Sequence, residues 1–159
     1  MFAYQILLLL FMANGAPIIL CRLLGGRYDW PVDFGLVWYD GHPILGPSKT
    51  WRGIAGAVLF SAATTYSLGL GAYLGWVAGL LAMVGDLTSS FIKRRLGIAS
   101  SGMALGLDQI PEALLPLLWL KSQLGISYSM VFWLSCAFLV LELGISRILF
   151  WLHIRKQPY

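Results

Sequence analysis

The residues best equipped for chemistry lie in Gly85-Asp86-Leu87-Thr88-Ser89-Ser90-Phe91-Ile92-Lys93-Arg94-Arg95, where an acid, hydroxyls and three bases close an apolar run. A carboxylate inside a membrane helix costs about 2.5–3.5 kcal/mol on insertion scales, so Asp86 needs a compensating role. On a helix, Asp86, Ser89, Ser90 and Lys93 fall at i, i+3, i+4 and i+7, which is one face. Continued backwards, that face passes through Ala82, Gly79 and Gly75, all small. Such a helix lets a neighbouring backbone approach closely at one end and turns polar at the other. The plainer alternative is a helix end whose Asp86 and Lys93, about 10 Å apart along the axis, merely reach the interface.

A second acidic cluster is Gly106-Leu107-Asp108-Gln109-Ile110-Pro111-Glu112. Asp108 suits the N-cap of a helix, with Pro111 in the first turn where its missing N–H does no harm. Equally, Asp108 and Glu112 on one helix, facing Asp86 on another, could hold Mg²⁺ beside a phosphate chain. The third cluster runs from Asp40-Gly41-His42 through Gly46-Pro47-Ser48-Lys49-Thr50-Trp51-Arg52-Gly53. A glycine turn, a lysine and hydroxyls just before a helix are the parts of an anion site. They also suit a solvated basic loop, and the glycine spacing is not that of a Walker A motif. Asn14, before Gly15 in an apolar run, is either a helix-packing hydrogen bonder or a lining residue of the same cavity.

The elements that must position these groups follow from composition. The chain has 159 residues, 58% of them hydrophobic and 11% charged, with a mean hydropathy of +0.76. Soluble domains carry about 25% charged residues, so neither a soluble enzyme nor a disordered chain fits. Five apolar runs are expected to form membrane helices, at 2–24, 54–70, 72–92, 107–120 and 129–152. The first is bent at Asn14 to Pro17, because proline removes a backbone bond. It lacks a basic leader and a small-residue cleavage site, so it reads as a retained helix rather than a signal peptide.

The expected fold is all-α: a single polytopic membrane domain over 1–159, with about five transmembrane helices and a polar cavity open to the cytoplasm. The net charge of +4 would suggest nucleic acid in a soluble protein. Here Arg22, Arg27, Lys49, Arg52, Lys93 to Arg95, Arg155 and Lys156 flank alternate loops, as the positive-inside rule requires, and Lys121 stands almost alone opposite. The N-terminus is therefore expected outside and the C-terminus in the cytoplasm of a plasma membrane, with no nucleic-acid partner. The seven tryptophans fall mostly near span ends and read as interfacial anchors. Cys21 and Cys136 show no disulfide or metal spacing.

At these clusters the chain resembles the archaeal-type CDP-archaeol synthases, membrane cytidylyltransferases related to the CDP-diacylglycerol synthases. The resemblance is nearly full-length. It is carried by the Asn14 to Pro17 break, Asp33-Phe34-Gly35, Asp40-Gly41, the Gly46 to Gly53 run, Gly85-Asp86, Ser90 to Arg95 and Leu107-Asp108-Gln109. Departures are Ala99-Ser100, where the diacylglycerol enzymes carry Lys-Asp, the lack of their His-Gly-Gly, and Pro111 with Glu112 where a second Asp is expected.

The resemblance implies CTP and a lipid phosphate as substrates, Mg²⁺ as cofactor, the bilayer as surroundings and a homodimer as an open option. It implies Asp86, Lys93 and Asp108 as catalytic residues, with Asp86 and Asp108 as metal ligands and Glu112 as a third candidate. CTP and the lipid phosphate would be bound by Asn14, Lys49, Thr50, Arg52, Ser89, Ser90, Arg94 and Arg95, with Thr50, Ser89 and Ser90 supplying hydroxyl donors. The lipid phosphate oxygen would attack the α-phosphate of CTP and release pyrophosphate. The rivals are a CDP-diacylglycerol synthase acting on phosphatidic acid, a CTP-dependent lipid kinase, and a lipid-binding or ion-conducting protein without catalysis.

Overall fold

The computed structural model describes residues 3–100 and 102–151. The basic tail with His153, Arg155 and Lys156 lies outside the described residues. Five helices follow in order: α1 (Ala3–Leu24), α2 (Trp51–Ser67), α3 (Ala72–Arg95), α4 (Gln109–Leu124) and α5 (Tyr128–Trp151). Among the described residues there is no strand, only isolated bridges between Pro31 and Thr50 and between Val37 and Pro43. The all-α expectation is met. By length and composition α1, α3 and residues 128–148 of α5 can cross a membrane. At 17 and 16 residues, α2 and α4 sit at or below the shortest spanning lengths.

Boundaries differ from the sequence reading for local reasons. α2 starts at Trp51 because the Thr50 hydroxyl caps it, accepting the Gly53 N–H at 3.2 Å. α3 does not stop before Lys93 but takes in Lys93, Arg94 and Arg95 as its last turn, where positive charge meets the negative end of the helix dipole. α1 runs through Asn14 to Pro17 with Pro17 inside it.

Loops 25–50 and 96–108 meet at one end of the bundle, where the Ser100 hydroxyl donates to Ser48 Oγ at 3.0 Å. The apolar core lies towards the other end: Ile6, Leu9 and Leu10 of α1, Leu117 and Leu120 of α4, and Val131, Leu134 and Phe138 of α5. Polar and apolar residues are thus segregated along the bundle axis. Trp30, Trp51, Trp76, Trp133 and Trp151 point outwards, while Trp119 packs against the core.

The small-residue face of α3 performs the close approach its composition suggests. Gly75, Gly79 and Ala82 are buried, and the Gly75 N–H donates to the Thr65 hydroxyl of α2 at 3.1 Å. A Cβ on Gly79 would stand 2.9 Å from both the Ala57 carbonyl oxygen and Ser61 Oγ. At the polar end, a Cβ on Gly85 would overlap the backbone of Pro111 and Glu112. Gly85 therefore lets α4 touch α3 one residue from Asp86. Replacing Gly85 by Leu is expected to force α3 and α4 apart, costing several kcal/mol as overpacking does. Gly144→Ala, with open space around the new methyl, should leave stability unchanged. Thermal unfolding of the purified variants checks the contrast.

Candidate functional site

Four segments converge at the polar end of the bundle: the end of the 25–50 loop, the last three turns of α3, the 102–108 loop and the first turn of α4. The Lys49 ammonium donates to both carboxylate oxygens of Asp86 at 2.7 Å. Two turns further along α3, the buried Lys93 pairs with Asp108 at 2.5 Å and donates to the Gly102 carbonyl at 3.0 Å. Each acid thereby has its own cation. Two carboxylates and two lysines drawn from three separate segments form one charged array.

Asp108 does not cap α4. Its side chain reaches back instead, accepting the Ala104 N–H at 2.9 Å while it holds Lys93. Gln109 performs the parallel function, its amide oxygen accepting the Gly106 N–H at 2.9 Å. Glu112 is buried, in electrostatic reach of Asp86, Asp108, Lys49 and also Glu142 on α5. Arg94 is buried as well, and its Nε is shielded from solvent without a hydrogen-bond partner among the described residues. A Cβ on Gly46 would lie 3.7 Å from an Arg94 guanidinium nitrogen, so this cation faces the glycine turn. Ser89 and Ser90 are buried too, with the Ser89 hydroxyl donating to the Asp86 carbonyl at 2.9 Å.

Other candidate residues are engaged elsewhere. Arg52 donates to the Gly25 carbonyl at 2.8 Å and the Arg27 carbonyl at 2.5 Å, and pairs with Asp29 at 2.9 Å. Arg95 holds the hairpin around Gly41, pairing with Asp40 at 3.1 Å and donating to the Pro43 carbonyl at 2.6 Å. Its guanidinium also stacks over Phe91 and Trp38. Both arginines fasten the 25–50 loop to helix ends. Thr50 is occupied as the α2 cap.

Asn14 lines a different feature. A groove of about 440 Å³ opens between α1 and α5, walled by Phe11, Ile18, Ile19, Leu23 and Ile145, with Asn14, Arg22 and Glu142 as polar members. The Asn14 amide donates to the Leu10 carbonyl at 3.0 Å, and its Oδ1 has no partner among the described residues. Glu142 links groove and charged array, since it is the groove residue in electrostatic reach of Glu112.

The sequence reading passed over Asp33 as a chemical group. Its buried carboxylate accepts the Gly35 N–H at 3.1 Å and those of Leu45 and Gly46 at 2.8 Å each. The Asp-x-Gly spacing was a legible signal for the local turn. The bond to residues twelve and thirteen positions on was not.

Whether a metal suits the array can be judged from its donors. Among the described residues no three of His, Cys, Asp and Glu converge tightly enough to form a metal cage. Asp86 and Asp108 supply hard oxygen donors, and each already attracts a cation. Mg²⁺ in phosphate-handling sites commonly takes one or two carboxylates, with substrate phosphates and water completing its shell. The donor set fits a metal that arrives with a polyphosphate.

Comparison with known proteins bears on the whole chain. The family model described as CarS-like, CDP-archaeol synthase, matches residues 1–159. A CDP-archaeol synthase of Pyrococcus horikoshii is 41% identical over 118 residues, covering 67% of this chain and 66% of that protein. The one from Sulfurisphaera tokodaii is 35% identical over 159 positions, covering 93% of this chain and 89% of its own. A solved structure described as an intramembrane enzyme for archaeal membrane lipid biosynthesis superposes with a TM-score of 0.71. It is 30% identical, and the match covers 90% of this chain and 91% of that one. With a full-length family match and a shared intramembrane fold joined to the charged array, the chain belongs to the CDP-archaeol synthase family.

Proposed function

We propose that this protein transfers CMP from CTP to a lipid phosphate of the archaeol type, giving a CDP-activated lipid and pyrophosphate. The observation that carries the reading is the pairing of Lys49 with Asp86 and of Lys93 with Asp108 at one end of an apolar bundle. Family membership supplies the substrate class. In the reaction an oxygen of the ionised lipid phosphate forms a bond to the α-phosphorus of CTP, and the α–β bridging bond breaks. Pyrophosphate leaves with the electron pair. The nucleophile is already an anion, so the protein's work is positioning and charge neutralisation.

Lys49, Lys93 and Arg94 are the residues to hold phosphates, Arg94 with an unsatisfied donor already at hand. Asp86 and Asp108 are the residues to hold Mg²⁺, with Glu112 behind them. When bound, Mg²⁺ would neutralise the triphosphate and the charge developing on the leaving pyrophosphate. Ser89 and Ser90 line the same stretch of α3 as small polar groups. Arg52 and Arg95 are assigned to shaping the loop rather than to the phosphates.

The lipid's apolar chains are assigned to the α1–α5 groove, whose walls are mostly aliphatic and whose Glu142 borders the charged array through Glu112. The basic-loop pattern supports a polar end facing the cytoplasm in the plasma membrane, with the N-terminus outside. Five crossings follow if α2 and α4 span a locally thinned bilayer.

Purified protein with α-labelled CTP and Mg²⁺ should label digeranylgeranylglyceryl phosphate in preference to phosphatidic acid, and EDTA should abolish transfer. Label only in phosphatidic acid would make it a CDP-diacylglycerol synthase. No label from folded protein would remove the transferase reading. Asp86→Asn should cut kcat by about 100-fold or more, as loss of a preorganised charge-stabilising group does, with insertion and folding intact. Ile145→Trp, filling the groove, should raise the KM for the lipid by about tenfold and leave that for CTP unchanged. Steady-state kinetics with each substrate varied separates these outcomes.

A further inference from the structure

Lys49 reaches Asp86 from an irregular loop, so something must hold that loop to within a fraction of an ångström. Helix α2 begins only two residues later and fixes Trp51, but the approach to Lys49 comes through Gly46. The Lys49 N–H donates to the Gly46 carbonyl at 3.2 Å, and the Lys49 carbonyl accepts the Val32 N–H at 2.8 Å. Val32 is followed by Asp33, whose Oδ2 accepts the Leu45 and Gly46 N–H groups. The chain thus closes a circuit: Val32 to Lys49, Lys49 to Gly46, and Gly46 back to Asp33.

Asp33 is built into this position. It is 6% exposed, and no cation pairs with it among the described residues. Its Oδ1 stabilises the adjoining turn, in which Phe34 takes a φ of +51° and Gly35 one of +76°. A left-handed Phe costs about 1 kcal/mol, a strain kept only where surrounding bonds enforce it. Gly46 has a φ of +96° and packs against Ser100, so the turn that Asp33 grips is one most residues could not form. Burial by itself would raise the Asp33 pKa, but the Gly46, Leu45 and Gly35 N–H donors outweigh it and hold the carboxyl below the ordinary range. The loop's share of stability is therefore present above the ordinary carboxylate pKa and lost as pH falls through the depressed folded value.

We propose that Asp33 is a positioning residue for Lys49: its carboxylate fixes the Leu45–Gly46 turn and thereby aims the Lys49 ammonium at Asp86. This deepens the proposed function, because it rests on Lys49 as a phosphate-holding group. Asp33 acts through Lys49 and touches no substrate.

The test reads Lys49 directly and needs no substrate. Wild-type protein and Asp33→Asn in lipid nanodiscs are treated with an amine-acylating reagent, and the rate at each lysine is followed by mass spectrometry. Release from its charge-assisted pair should make Lys49 react about tenfold faster in Asp33→Asn, with Lys93 and Lys121 unchanged. In the same preparations the KM for CTP should rise about tenfold, with a smaller change in kcat. An unchanged Lys49 rate overturns the proposal, and so does an equal rise at Lys93 and Lys121, which marks general loosening. If Asp33→Asn does not fold, Asp33→Glu, which keeps the charge but shifts it by a methylene, is judged by the same criteria. A faster Lys49 with an unchanged KM for CTP would instead uphold Asp33 and remove Lys49 from the phosphates.

Discussion

An ionised carboxylate on a membrane-spanning helix must be neutralised by something, and Asp86 is neutralised by Lys49 through two short hydrogen bonds. The rest of the polar end can be understood from that constraint. Lys49 is not on a helix, so the 25–50 loop must be rigid. Arg52 ties its start, Arg95 its hairpin and Asp33 its final turn. Three charged side chains that touch no substrate in the proposed reaction are spent on aiming one that does.

Geometry on the other side of the pair is set by small residues. Gly75, Gly79 and Ala82 bring α2 against α3, and Gly85 brings α4 to the same helix beside Asp86. Without side chains to hold the helices apart, Asp86 and the start of α4 share one small volume, and Asp108 comes within reach of Lys93. The apolar core at the opposite end anchors the bundle, which leaves the polar end free to carry buried charge. A site for two anionic substrates next to a lipid phase needs this division. Cations must be sheltered enough to attract phosphate strongly, yet each must be paired until the phosphate comes.

What could be read from residue types held well where the signal is periodic or local. The polar face of α3, its small-residue continuation and the hydroxyl before α2 are all consequences of helix geometry within a few residues. The readings that shifted are those where two local rules compete. Asp108 fits an N-cap by type, but a cation from another helix outbids a backbone N–H for its carboxylate. Arg52 and Arg95 look like phosphate ligands in a basic loop, and backbone carbonyls brought close by the fold engage them first. Asn14 shares an apolar run with no chemical neighbour, and only the packing of α5 on α1 makes it part of a groove.

The sequence by itself determined the membrane class, the all-helical architecture, the family and the identity of the charged residues, because hydropathy, period and motif are properties of short stretches. Tertiary structure alone decided which acid meets which base. Lys49 and Asp86 are 37 residues apart, and Asp33 binds a turn across 13. Contacts at such separations depend on loop closure and helix crossing, which no local pattern encodes. The same charges paired otherwise would have given the same composition and a different site.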